Sequence, residues 1–188
     1  MSIDTIYGLP AHPLFVHIPV IGIPLVALLF AAYLVLPEKR EGLFWPTAAG
    51  IVFVTIATIL AASTGESLES QLSAEDRASS VLHNHTELGD QTRAIVILFA
   101  LAALAYLALD WWRRTQRDTT GAQTAANALT AALTQPNITK LVLGLGVVAV
   151  LLGGVATVWD VRTGHAGAKA AWSDVGSEST EPVAGDGD

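Results

Sequence analysis

Leu14–Leu36 reads LFVHIPVIGIPLVALLFAAYLVL, an apolar run whose single imidazole, His17, lies near its start. A helix rising about 1.5 Å per residue crosses a hydrocarbon core of about 30 Å over such a length. The run is too long for the apolar part of a signal peptide, no basic stretch precedes it, and no small-residue cleavage site follows it. It is therefore expected to be a membrane span. Pro13 suits a first helical turn, but Pro19 and Pro24 each remove a backbone donor, so the carbonyls of Phe15 and Val20 lose their helical partners. The start of this helix is expected to be kinked or loosened.

Three further runs follow at 43–62, 94–112 and 141–159. Trp45 and the Trp111–Trp112 pair mark ends of the second and third, as amphipathic aromatic rings do at membrane interfaces. Gly144, Gly146, Gly153 and Gly154 let a neighbouring helix approach the fourth closely. The expected architecture is all-α: a polytopic four-helix bundle over 1–172, with a polar helical segment from Ser67 to Gln91 between the second and third spans. Thr115–Gln135 reads as a loop with one short helix, Ala122–Leu133, ended by Pro136. The acidic tail 173–188 reads as disordered.

The whole chain agrees with this reading. It has 188 residues, of which 52% are hydrophobic, and its formal charge is −7. That acidity gives no reason to expect a nucleic-acid partner; the partner implied is a lipid bilayer. Cysteine is absent and the one methionine is Met1, which excludes disulfides, iron–sulfur ligation and thiolate metal sites. No P-loop, dinucleotide-binding glycine pattern, nucleophile elbow or HExxH helix occurs. Hydrolase or nucleotide-driven chemistry is not expected, and an electron-transfer or accessory role fits better than an enzyme.

Lys39, Arg40, Arg113, Arg114, Arg117 and Lys140 lie in the two connections on one side. Basic residues hugging span ends mark the cytoplasmic side, so both termini are expected outside the cytoplasm, across a bacterial cytoplasmic membrane. All five histidines then fall at the outer end. Counting residues along the helices puts His12, His85 and His165 near one level, His17 deeper, and Glu66 at the end of the second span. His83 reads as an exposed loop residue.

Such a set suits haem b, with one or two axial histidines among His12, His17, His85 and His165, and Arg93, Ser63 or Thr64 at the propionates. It equally suits a Zn²⁺, Cu²⁺ or Fe²⁺ site made of His12, His85, His165 and Glu66. Glu87, Asp90 and Asp160 are the acids placed to accept a free ring N–H. The competing reading is a non-catalytic accessory subunit of a larger membrane complex, in which the histidines stabilise an extracytoplasmic cap.

HPLFVHIPV at 12–20, TGE at 64–66, HTELG at 85–89 and GHAGA at 164–168 together make the chain resemble a bacterial family of membrane proteins labelled domain of unknown function 2231. The likeness runs from Gly8 to Trp172. It implies that His12, His17, His85 and His165 are the family's recurrent histidines, and it does not include His83. Members joined to Rieske or cytochrome c modules imply work beside electron-transfer proteins. This chain has no CxxCH element, so a redox partner at the membrane or its outer face would be a separate polypeptide.

Overall fold

The structure, a computed structural model, describes residues 5–120 and 125–172, with side chains placed except at 9, 76 and 116–139. It opens with a small antiparallel hairpin, β1 (Thr5–Ile6) and β2 (Leu9–Pro10), in which Thr5 faces Pro10 and Ile6 faces Leu9. Its two-residue turn needs positive φ at both positions, and Tyr7 and Gly8 supply 51° and 79°. The sequence reading did not anticipate this hairpin.

Six α-helices follow: α1 (Ala11–Phe15), α2 (His17–Val35), α3 (Arg40–Gln71), α4 (Ala74–Arg77), α5 (Ser80–Thr120) and α6 (Ala125–Trp172). A 3-10 turn, Pro37–Lys39, joins α2 to α3. The four segments long and apolar enough to cross a membrane are Ala11–Val35, Pro37–Gln71, Ser80–Thr115 and Lys140–Trp172. The last three contain the expected runs and extend past them, whereas the first starts three residues earlier than expected and stops at Val35, one residue short of the expected end. The polar segment expected between the second and third runs is largely the end of α3 and the start of α5, with α4 between.

The expected break in the first span occurs at Val16, between α1 and α2, where Pro19 has no N–H to give the Phe15 carbonyl. Pro24 is carried inside α2 without interrupting it. Pro136 differs from expectation: it does not end a helix, and α6 runs through it from Ala125. A proline forfeits one helical bond, and the alanine-rich stretch before it has enough helix propensity to continue. The start of the expected helix Ala122–Leu133 and the tail 173–188 lie outside the described residues.

The long helices form a ring. α2 packs on α3, α5 on α6, α2 on α6, and α3 on α5. The buried positions show that the two hairpins are one unit used twice. In α2, Pro19, Ile23, Val26, Phe30 and Tyr33 are buried; 73 residues later in α5 so are Thr92, Val96, Phe99, Ala103 and Tyr106. In α3, Thr47, Ile51, Val54, Thr58 and Thr64 are buried; 102 residues later in α6 so are Ala149, Gly153, Ala156, Asp160 and Ala166. An approximate two-fold axis therefore runs along the bundle, exchanging α2 with α5 and α3 with α6.

Edge-to-face rings fill the core. Phe30 meets Phe99 with centroids 6.1 Å apart and Tyr106 at 5.6 Å. Two glycines make this approach possible: Gly22 faces the Val54 side chain, and a Cβ at Gly153 would stand 3.1 Å from that of Ala27. Of the four glycines assigned to packing in α6, Gly146 and Gly153 do this work, whereas Gly144 and Gly154 face open space.

At the α2–α3 end, Tyr33 donates to an Asp110 oxygen at 2.7 Å, and Arg114 reaches the same oxygen at 2.6 Å. Arg40 lies 3.6 Å from the other oxygen and donates to the Tyr33 and Leu34 carbonyls, satisfying the C-terminus of α2. Replacing the fully buried Phe30 by alanine should lower stability by about 3–5 kcal/mol in a detergent unfolding titration. Leu28→Ala, at a position 69% exposed, should change it far less.

Candidate functional site

The opposite end of the bundle holds the candidate site. α1 packs against α3 and carries His12 onto it. The His12 Nδ1 lies 2.9 Å from the carbonyl of Ala61, and the ring covers Gly65, where a Cβ would stand 3.0 Å from its Cε1. The second hairpin repeats the arrangement. The Nδ1 of His85 lies 3.1 Å from the carbonyl of Thr163, and its ring covers Gly167, where a Cβ would come to 2.8 Å. In each case the histidine bonds the carbonyl four residues before the glycine that seats it.

A carbonyl only accepts, so each bond fixes the ring proton on Nδ1 and leaves Nε2 with its lone pair free. The two rings meet edge to face near the two-fold axis, with centroids 6.2 Å apart and planes at 71°. Beneath them the lining is polar. Thr92 and Thr163 join through their hydroxyls at 2.9 Å, Thr64 bonds the Leu60 and Ala61 carbonyls, and Thr58 bonds the Val54 carbonyl. Asp160, on the face of α6 that carries Thr163, is buried, and its Oδ2 has no hydrogen-bond partner.

The other residues singled out in the sequence stand apart from this pair. His17 is exposed, with its Nδ1 2.6 Å from the Pro13 carbonyl of its own chain segment. His165 is exposed and borders a shallow hollow with Val81, Ala168, Lys169 and Trp172. It lies two residues from both Thr163 and Gly167, and a helix turns about 200° over two residues, so it points away from the face His85 occupies. His83 is exposed, as expected, but it stands on α5 rather than in a loop. Arg93 is held between Glu66 and Asp90, each at 2.8 Å, and the Glu66 side chain is 61% exposed. Ser63 is exposed, and Glu87 accepts from Gln91.

The set His12, His85, His165 and Glu66 is therefore not assembled. Among the described residues no group of three or more His, Asp or Glu side chains is placed to hold a metal ion. What the fold brings together is a pair. Its signal in the sequence is a spacing: Tyr33 follows His12, and Tyr106 follows His85, by the same 21 residues. Comparison with protein-family models, with curated proteins and with solved structures finds no match to this chain.

The glycine seats make a direct prediction. Gly65→Ala and Gly167→Ala should displace the His12 and His85 rings while leaving the bundle folded. The check is the histidine ring resonances in NMR, which should shift at the affected residue with the helical circular dichroism unchanged.

Proposed function

We propose that this chain is an integral membrane protein that binds a transition-metal ion between the Nε2 atoms of His12 and His85. The observation that supports it is the facing pair: two rings from equivalent positions, each oriented by a backbone carbonyl and each offering a free nitrogen. Carbonyl bonds to the far nitrogen orient metal-bound histidines in the same way and raise their basicity.

The fit is to an ion with its histidines opposite one another. With metal–nitrogen bonds of about 2 Å, two imidazoles across one ion put their ring centres about 6 Å apart, close to the 6.2 Å between His12 and His85. Tetragonal Cu²⁺ accepts that arrangement with water in the remaining positions, whereas tetrahedral Zn²⁺ needs the rings roughly 1 Å closer. A haem iron would use the same two nitrogens but also needs an apolar slot for the macrocycle, and the neighbouring Thr64, Thr92 and Thr163 are polar. Copper is therefore the favoured occupant.

Four apolar helices support insertion in the bacterial cytoplasmic membrane, with the basic turn residues Lys39, Arg40, Arg113 and Arg114 inside and the histidine pair outside. Bound there, copper supplies a one-electron redox centre, and a fixed pair of ligands holds it with little rearrangement. The proposed role is electron transfer with a separate envelope redox protein, consistent with the resemblance described above; no enzymatic step is assigned.

Purified protein supplied with Cu²⁺ should hold it at unit stoichiometry. His12→Ala and His85→Ala should each weaken binding by about a hundredfold or more, while His17→Ala and His165→Ala leave it unchanged. Equal copper content in all four variants would remove the proposal, and a Soret band in the purified protein would assign haem iron instead. A reporter fused after Asp188 should be active only outside the cytoplasm; activity inside would invert the orientation.

A further inference from the structure

Among the described residues, two carboxyl groups are buried, and they differ in one respect. Asp110 is answered by Tyr33, Arg40 and Arg114. Asp160, 5% exposed, has an Oδ2 with no hydrogen-bond partner. Its position is not arbitrary. It precedes Thr163 by three residues and Gly167 by seven, so it shares their face of α6, the face on which His85 rests. Thr58 stands at the equivalent place on α3, three residues before Ala61 and seven before Gly65, beneath His12. The two side chains lie about 4.5 Å further along the bundle axis than the carbonyls that hold the histidines. Thr58 bonds the Val54 carbonyl; Asp160 has no such outlet.

The geometry points to Asp160 as the charge-balancing proton donor of the His12–His85 site: seating a divalent cation between the rings expels the Asp160 proton and leaves a carboxylate below the ion. This rests on the metal-binding reading above. Where water is excluded, a carboxyl group without a counter-charge costs less neutral than ionised. A cation arriving above it, between the levels of Thr163 and Gly167, favours the ionised form, because opposite charges attract strongly where water is excluded. The step balances simply: the carboxyl O–H breaks, the proton passes to bulk water, and the ion's double charge is reduced by one. No redox change is involved.

The other carboxylate near the rings, Glu66, is 61% exposed and paired with Arg93. Among elements packed against α6, α5 brings Thr92 to this level, with His85 and Arg93 as its neighbouring titratable or charged groups; His85 is bound to the Thr163 carbonyl and Arg93 is taken by Glu66 and Asp90. α2 brings Pro19 and Ile23, and its His17 is exposed. α3, across the axis, brings Thr58. On α6 itself, Arg162 lies over the Trp159 ring at 5.0 Å, and His165 and Lys169 are exposed.

Cu²⁺ titrations of the full-length protein and of Asp160→Asn, in weakly buffered solution near pH 6, test this with a pH indicator counting protons. The wild type should release about one proton more per Cu²⁺ than the variant. The variant should bind about tenfold more weakly, and its affinity should fall less steeply as the pH is lowered. Infrared difference spectra of the wild type alone should show a protonated carboxyl band that disappears on Cu²⁺ addition, a readout that does not depend on the variant folding. Equal proton counts with an unchanged carboxyl band would overturn the role of Asp160 alone. If the wild type fails to bind Cu²⁺, the metal-binding reading falls with it.

Discussion

Two hydrogen bonds from imidazole to helix backbone, His12 to the Ala61 carbonyl and His85 to the Thr163 carbonyl, determine what this end of the bundle can do. Both carbonyls lie inside helices, and an imidazole reaches either of them only where the ring comes very close to the helix. Gly65 and Gly167 provide that proximity, since a Cβ at either would collide with the imidazole. A single-atom constraint on two helices thereby fixes tautomer, ring orientation and the direction of both free nitrogens. The α1–α2 break at Val16 serves the same end, since it frees the short helix that brings His12 onto α3.

The approximate two-fold axis explains why the rings meet. Each hairpin supplies one histidine, one seating glycine and one buried tyrosine, and closing the four helices into a ring turns the like elements toward one another. The symmetry is broken at two notable positions: Asp160 stands where α3 has Thr58, and Asp110, bound by Tyr33, Arg40 and Arg114, stands where the first hairpin has Pro37. Between the two polar ends, Phe30, Phe99, Ala149 and Ala156 form an apolar middle.

Much of the architecture was legible in the sequence, because long apolar runs carry their meaning in length alone. The runs at 43–62, 94–112 and 141–159 lie within long apolar helices, and that at 14–36 is helical to Val35 apart from the break at Val16. The site was legible only in part. Residue counting gives depth along a helix but not the direction around it, so His12, His85 and His165 looked equivalent although His165 points away. Glu66 and Arg93, expected to serve a bound metal or cofactor, form an ion pair with each other. Asp160 was considered only as an acceptor for a ring N–H, a task the backbone carbonyls perform. The repeat escaped notice because unlike side chains occupy equivalent buried positions, such as Phe30 and Ala103, leaving only a shared histidine-to-tyrosine spacing.

Electron paramagnetic resonance of the protein loaded with one equivalent of Cu²⁺ tests the facing pair most directly, because coupling to ligand nitrogens counts the imidazoles on the metal. Two imidazole nitrogens are predicted in the wild type, falling to one in His85→Ala. A spectrum without imidazole coupling, or one that His85→Ala leaves unchanged, would contradict a metal site between His12 and His85.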